Sequence, residues 1–170
     1  MQKQLFKALY IRNSQTKNYM INCIDDCSRK VVSLWSNRKK SRDVLNVLEE
    51  WVRVNGNPKK VMHDNGRQFK SKIFRRFMEK NCIKDKAIRN YYPQEQGKVE
   101  AYNKIVRNEF LAVEEIASIE DGKMRYAIFV KAYNDEREHG GINGLTPSEM
   151  FMQALNSKDS NKKQARVLPM

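Results

Sequence analysis

A chain of 170 residues, 40% hydrophobic with two Trp, seven Tyr and seven Phe, carries enough apolar material to bury one real core. No run approaches the 18 or more apolar residues of a membrane span and the N-terminus has no apolar signal core, so no membrane partner is expected and the default location is intracellular, cytoplasmic or nucleoid. The 33 Lys and Arg against 20 Asp and Glu give a net charge of +13, which points to a polyanionic partner, nucleic acid foremost, the alternative being a generically soluble basic surface.

Residues 4–12, QLFKALYIR, and 18–25, NYMINCID, read as two strands joined by a polar turn, with a third at 29–36, RKVVSLWS. Short connections make this an antiparallel meander. The period then changes. Val44, Leu45, Val47, Leu48, Trp51 and Val52 recur at helical spacing, and Asn55-Gly56 supplies a stop. Pro58 opens a short strand, PKKVMHD, and a helix over 70–81 follows with Ile73, Phe74, Phe77 and Met78 on one side. Residues 83–89 form a weaker strand and 90–97, NYYPQEQG, a loop; helices run from Lys98 to about Val113 and from about 120 to 136. Thr146-Pro147 opens a final helix. The order β-β-β-α-β-α-β-α-α predicts an α/β fold, a five-stranded mixed sheet with helices on both faces. One domain is expected over 1–155, then a flexible basic tail over 156–170.

Cys23, Cys27 and Cys82 form no Cys-x-x-Cys pair, and His63 and His139 are too isolated to complete a zinc set, so three reduced thiols are expected. The chemistry gathers elsewhere. VMHDNGRQF ends a strand in Asp64 followed by Asn65-Gly66, a common turn signal that by itself needs no function. Glu100 opens a later helix, with 35 residues between the two carboxylates. The intervening helix, strand and loop can bring the chain back so that Asp64 and Glu100 converge. Two carboxylates without a basic partner repel, a cost that a hard divalent cation, Mg²⁺ or Mn²⁺, relieves. Metal held this way activates a water or a 3′-hydroxyl for in-line attack on a phosphodiester. Lys104 and Arg107 follow Glu100 at one and about two turns, a face suited to a phosphate backbone unless Glu100 merely pairs with Lys104. Tyr91 can stack on an unpaired base or pack inward, and Gln96 can bond near a scissile phosphate. Asp25 and Arg29 read as a structural ion pair and turn.

HDNGRQF followed by YYPQEQGKVEAYNKIVRNEF resembles the catalytic core of the retroviral integrase and DDE transposase superfamily. IDDCSRKVV at 24–32 and YNDEREHGGINGLTPSEMF at 133–151 are similar to segments of insertion-sequence transposases, so the resemblance runs from about residue 4 to 152. It implies a ribonuclease H-like fold, DNA integration and transposition by metal-dependent cleavage and strand transfer, and two metal ions. It also implies DNA as partner, both transposon ends and target, and a homodimer. By the same resemblance Asp64 and Glu100 are the second and third acidic residues, both catalytic and metal-binding, and Lys104 and Arg107 hold the DNA end. The loop 91–97 resembles the family's active-site loop.

One position departs from the pattern. The family's first acidic residue lies on the first strand, and in FKALYIR that position belongs to Lys7. No Asp or Glu precedes Asp25. An ammonium there opposes the cations it should help to bind. Asp25 or Asp26 is a poor substitute: Lys7 should pair near Asn22, so either lies about three residues away at roughly 3.3 Å each. Relatives also carry an N-terminal helical DNA-binding region, not found ahead of the first strand here, which suggests a fragment or decayed copy. Three readings stay open: an active transposase or integrase core, a catalytically defective integrase-like DNA-binding domain, and a structural module with an incidental basic surface.

Overall fold

The computed structural model of the chain describes residues 3–13, 16–88 and 97–164, with side chains for 18–88 and 97–157. β1 (Lys3–Asn13) and β2 (Thr16–Asp25) pair antiparallel, and β3 (Val31–Ser36) continues the meander on β2. β3 starts later than residue 29 because Arg29 adopts a left-handed backbone, φ 68°, in the preceding turn. β4 (Lys60–His63) runs parallel to β1 on its other side, and β5 (Lys84–Ala87) runs parallel to β4 at the edge. The sheet order is therefore β3-β2-β1-β4-β5.

Alternation along the strands sends side chains to two cores. On one face Met20 and Ile24 of β2 and Met62 of β4 pack with Val99, Tyr102, Val106, Phe110, Tyr126 and Tyr133. These come from α3 (Gly97–Ile105), the π-helical turn Val106–Leu111 that prolongs it, and α4 (Ile119–Asp135). On the other face Ile21, Cys23 and Val61 pack with α1 (Ser41–Asn55), α2 (Lys72–Lys80) and the start of α5 (Pro147–Gln164). Trp51 of α1 is almost wholly buried and meets Phe151 of α5 edge-on, centroids 6.0 Å apart. All three cysteines are free thiols.

α1 forms where the periodicity places it, and Gly56, φ 78°, ends it with a main-chain bond back to Val52. α2 is shorter than 70–81. Arg67–Lys70 form a 3₁₀ turn first, and Ser71 caps the helix by accepting from the Phe74 N–H at 3.3 Å. That offset turns Ile73 outward, 46% exposed, while Phe74 and Met78 face the core. α5 runs to Gln164, so the helix continues through residues 156–164, where the composition predicts a flexible tail.

The segment YNDEREHGGINGLTPSE proves to be a fastener. Asn134 clamps both main-chain groups of Val31, accepting from its N–H at 2.9 Å and donating to its carbonyl at 2.8 Å, which fixes α4 to β3. Thr146 and Glu149 cap α5 reciprocally: the Thr146 hydroxyl accepts from the Glu149 N–H at 3.3 Å, and the Glu149 carboxylate from the Thr146 N–H at 2.8 Å. His139, edge-on to Tyr133, titrates below the usual histidine range because it is partly buried, with Arg137 and Arg29 adding to the effect. A depressed folded-state value means that the neutral ring stabilises the fold above about pH 6.5, and that this contribution is lost as pH falls through the folded value. His139→Gln should therefore make the melting temperature fall less steeply below that pH. Parallel melting curves for the two proteins would contradict it.

Candidate active site

β4 is fully interior, between β1 and β5, and ends in buried His63. The His63 ring stacks on Phe69, centroids 4.0 Å apart and 9° between planes. Its Nε2 bonds the Asp85 carboxylate at 2.7 Å, and its Nδ1 donates to the Asp64 carbonyl. Asp64 follows at once, half-buried, one carboxylate oxygen accepting from the Gly66 N–H at 3.0 Å. Asn65 donates to the Ile88 carbonyl at 3.3 Å. The turn expected from Asn65-Gly66 thus exists, and it holds Asp64 from both sides. Gly66 has φ −59°, so no left-handed bend demands glycine here. A Cβ would meet only the end of the flexible Gln68 side chain, which can turn away.

Lys7 sits opposite Asn22 in the β1–β2 register. On β1's other side Phe6 is the partner of His63, so residue 7 is level with Asp64 on the adjacent parallel strand. Asn22 is buried on the α3 face and donates to the Asn103 side-chain oxygen at 2.7 Å. Its own oxygen accepts from Ser33 and, at 3.1 Å, from Tyr126. Burial holds the Tyr102 and Tyr126 hydroxyls protonated, Tyr126 pushed up to about 12, so they stay neutral donors. This network ties α3, the helix of Glu100, to the strand opposite Lys7. Asn103→Leu would orphan the Asn22 amide at nearly constant volume. It should cost about 1–3 kcal/mol, read by urea unfolding; an unchanged midpoint would show that the network carries no load.

Glu100 lies in the first turn of α3, exposed, with Lys104 exposed in the last turn and Arg107 exposed in the π turn. Neither cation has an ion-pair partner among the described residues, so Lys104 is not spent on Glu100. The widening at Val106, where Ala112 N–H bonds the Arg107 carbonyl five residues back, has no signature in the sequence. Tyr91 and Gln96 lie outside the described residues.

Asp25 is buried and its carboxylate accepts from both the N–H and the hydroxyl of Ser28 at 2.8 Å. The Arg29 guanidinium donates to the Asp26 carbonyl and not to the Asp25 carboxylate, which corrects the expected ion pair, while the Arg29 N–H bonds the Asp25 carbonyl at 3.0 Å and closes the turn. Asp26 pairs with Lys98 of α3 at 2.8 Å. In register Asp25 opposes Gln4, three positions from Lys7. The fit to a divalent metal is therefore incomplete: the described residues contain no group of three His, Cys, Asp or Glu able to hold one, and Lys stands level with Asp64.

A mixed α/β sheet covered by helices on both faces, with this strand order, is the architecture of ribonuclease H-like cores. Known proteins point the same way. One family model, described as an integrase core domain, matches residues 6–93, and a second of the same description matches 81–147. The chain belongs to the integrase core domain family and is an integrase or transposase core.

Among its relatives, an uncharacterized 31.7 kDa protein of insertion element IS407 from Burkholderia multivorans is 24% identical over 155 residues, 89% of this chain and 56% of that protein. The uncharacterized protein K02A2.6 of Caenorhabditis elegans is 26% identical over 105 residues, 62% of this chain and 8% of that protein. The chain thus spans about half the length of the first and a small part of the second. Among solved structures, the catalytic core domain of BIV integrase superposes with a TM-score of 0.76 at 16% identity, covering 92% of this chain and 97% of that one. The HTLV-2 integrase catalytic core domain, in complex with magnesium, gives 0.70 at 17%, covering 88% and 94%. These likenesses establish the fold.

Proposed function

We propose that this domain is the DNA-handling core of an insertion-sequence transposase, built for phosphodiester cleavage and strand transfer but deprived of its first acidic residue. The observation that carries the reading is the position of Lys7, level with Asp64 and opposite Asn22. Asp64 at a strand end and Glu100 on the helix tied to Asn22 supply two of the three carboxylates the family reaction requires. A divalent ion, Mg²⁺ or Mn²⁺, would supply the activation of the attacking oxygen; the related core in complex with magnesium supports that choice of ion. Lys104 and Arg107, without ion-pair partners among the described residues, and the net charge of +13 support DNA as the partner. A homodimer belongs to this reading; a related core is described in a dimeric and in a trimeric form, so self-association of either kind fits the family.

The favoured outcome is a protein that binds duplex DNA with little sequence preference yet cuts it feebly. Binding to a labelled duplex across a salt series tests the first half: log affinity should fall linearly with log salt, about 0.9 per phosphate contact. Absence of salt-dependent binding would refute the DNA reading.

A further inference from the structure

We infer that a lysine-lined groove where β4 and β5 begin is a second contact for the DNA phosphodiester backbone, separate from the α3 cations. This rests on the DNA reading above and extends it. The groove, about 550 Å³, is lined by Lys59, Lys60, Cys82, Lys84, Asp85 and Lys86. Lys60 and Lys84 are direct partners in the parallel β4–β5 ladder, and Lys86 follows Lys84 on the same face. Their stems are therefore spaced about 5 Å across the strands and about 7 Å along β5, the scale of neighbouring phosphates on a strand. The frame is rigid: Lys84 N–H bonds the Lys59 carbonyl at 3.1 Å, and Asn57 donates to the Asn81 carbonyl at 3.2 Å.

The carboxylate that lines the groove, Asp85, is bonded to His63 at 2.7 Å. Among the described residues, no carboxylate pairs with Lys59, Lys60 or Lys84. Lysines on an edge strand commonly block edge-to-edge aggregation, which would account for Lys84 and Lys86 on β5. It does not account for Lys59 and Lys60, which lead into and start the interior strand β4.

The placement relative to the acidic centre gives the groove its use. Lys60 and Met62 alternate on the α3 side of the sheet, and Asp64 follows in the same alternation. Four residues separate Lys60 from Asp64, roughly 13 Å of strand, or about four base-pair steps of duplex. A duplex whose scissile phosphate lies at Asp64 can then rest its backbone on the groove. Contacts of this kind fix register and carry no sequence information.

The test uses Lys60→Gln/Lys84→Gln and Lys60→Glu/Lys84→Glu, with the double replacement of Lys104 and Arg107 by Glu alongside, each titrated against a labelled duplex over a salt series. The Gln pair keeps stem length, so it reports on charge even if the Glu pair folds poorly. Removing two lysine–phosphate interactions should flatten the log–log salt slope by about two, and combining the groove and α3 replacements should flatten it by about four. Groove variants that retain the full slope, while the α3 variant loses its share, would overturn the inference and leave the DNA reading standing. No salt-dependent binding by the unmodified protein would overturn both.

Discussion

Replacing Lys7 by Asp should switch on Mn²⁺- or Mg²⁺-dependent nicking, or disintegration of a branched DNA substrate, where the unmodified chain should show feeble activity or none. The strand register sets the size of the effect. Residue 7 is level with Asp64 on the neighbouring parallel strand, so a charge carried there should bear on any cation that Asp64 ligates. A unit charge pair at about 4 Å is worth about 4 kcal/mol at the effective dielectric near a protein surface. Exchanging a repelling ammonium for an attracting carboxylate changes that contribution twice over, once by removal and once by replacement. Even after desolvation costs, Mn²⁺ affinity measured by calorimetry should rise tenfold or more. Lys123→Asp, a reversal at an exposed site on α4, serves as the control and should give far less. Adding Asp64→Asn to Lys7→Asp should abolish the gained activity. Equal gains in Lys7→Asp and Lys123→Asp would mean that residue 7 is not at the metal.

The second large effect is expected on DNA affinity. Lys104→Glu with Arg107→Glu reverses two exposed cations that have no ion-pair partner among the described residues. Every cation–phosphate interaction that is removed lowers the salt slope by about 0.9, which at about 0.1 M salt is close to tenfold in affinity. The double variant should therefore bind duplex roughly a hundredfold more weakly, and the weakening should be uniform across sequences. Because both residues are exposed, the melting temperature should hardly move. Unchanged affinity would place the DNA path elsewhere, and the β4–β5 groove would then be its first candidate.

Much of the fold is legible in the residues because strong periodicities survive tertiary context. The apolar spacing of α1 and its Gly56 stop, the meander of β1–β3, and the strand ending at Asp64 all follow from local pattern. The pairing of Lys7 near Asn22 also follows from pattern, since a short hairpin leaves little freedom in register. What escapes a reading of the residues lies in interactions between distant segments. Asn22, Ser33, Asn103 and Tyr126 join four elements, β2, β3, α3 and α4, and no local signal marks a strand asparagine as their hub. The outward turn of Ile73 depends on the 3₁₀ turn at Arg67–Lys70, which shifts the helical phase. The lysines of the β4–β5 groove come in two pairs more than twenty positions apart in sequence, which meet only through the parallel ladder.

Whether lysine occupies the first acidic position is tested by metal-dependent cleavage of labelled DNA by the unmodified chain. Traces at most are expected, unchanged by Asp25→Asn or Asp26→Asn, since Asp25 is engaged by Ser28 and Asp26 by Lys98. Robust cleavage that either of those substitutions abolishes would contradict that assignment, and would show that β2 and its turn supply the third carboxylate.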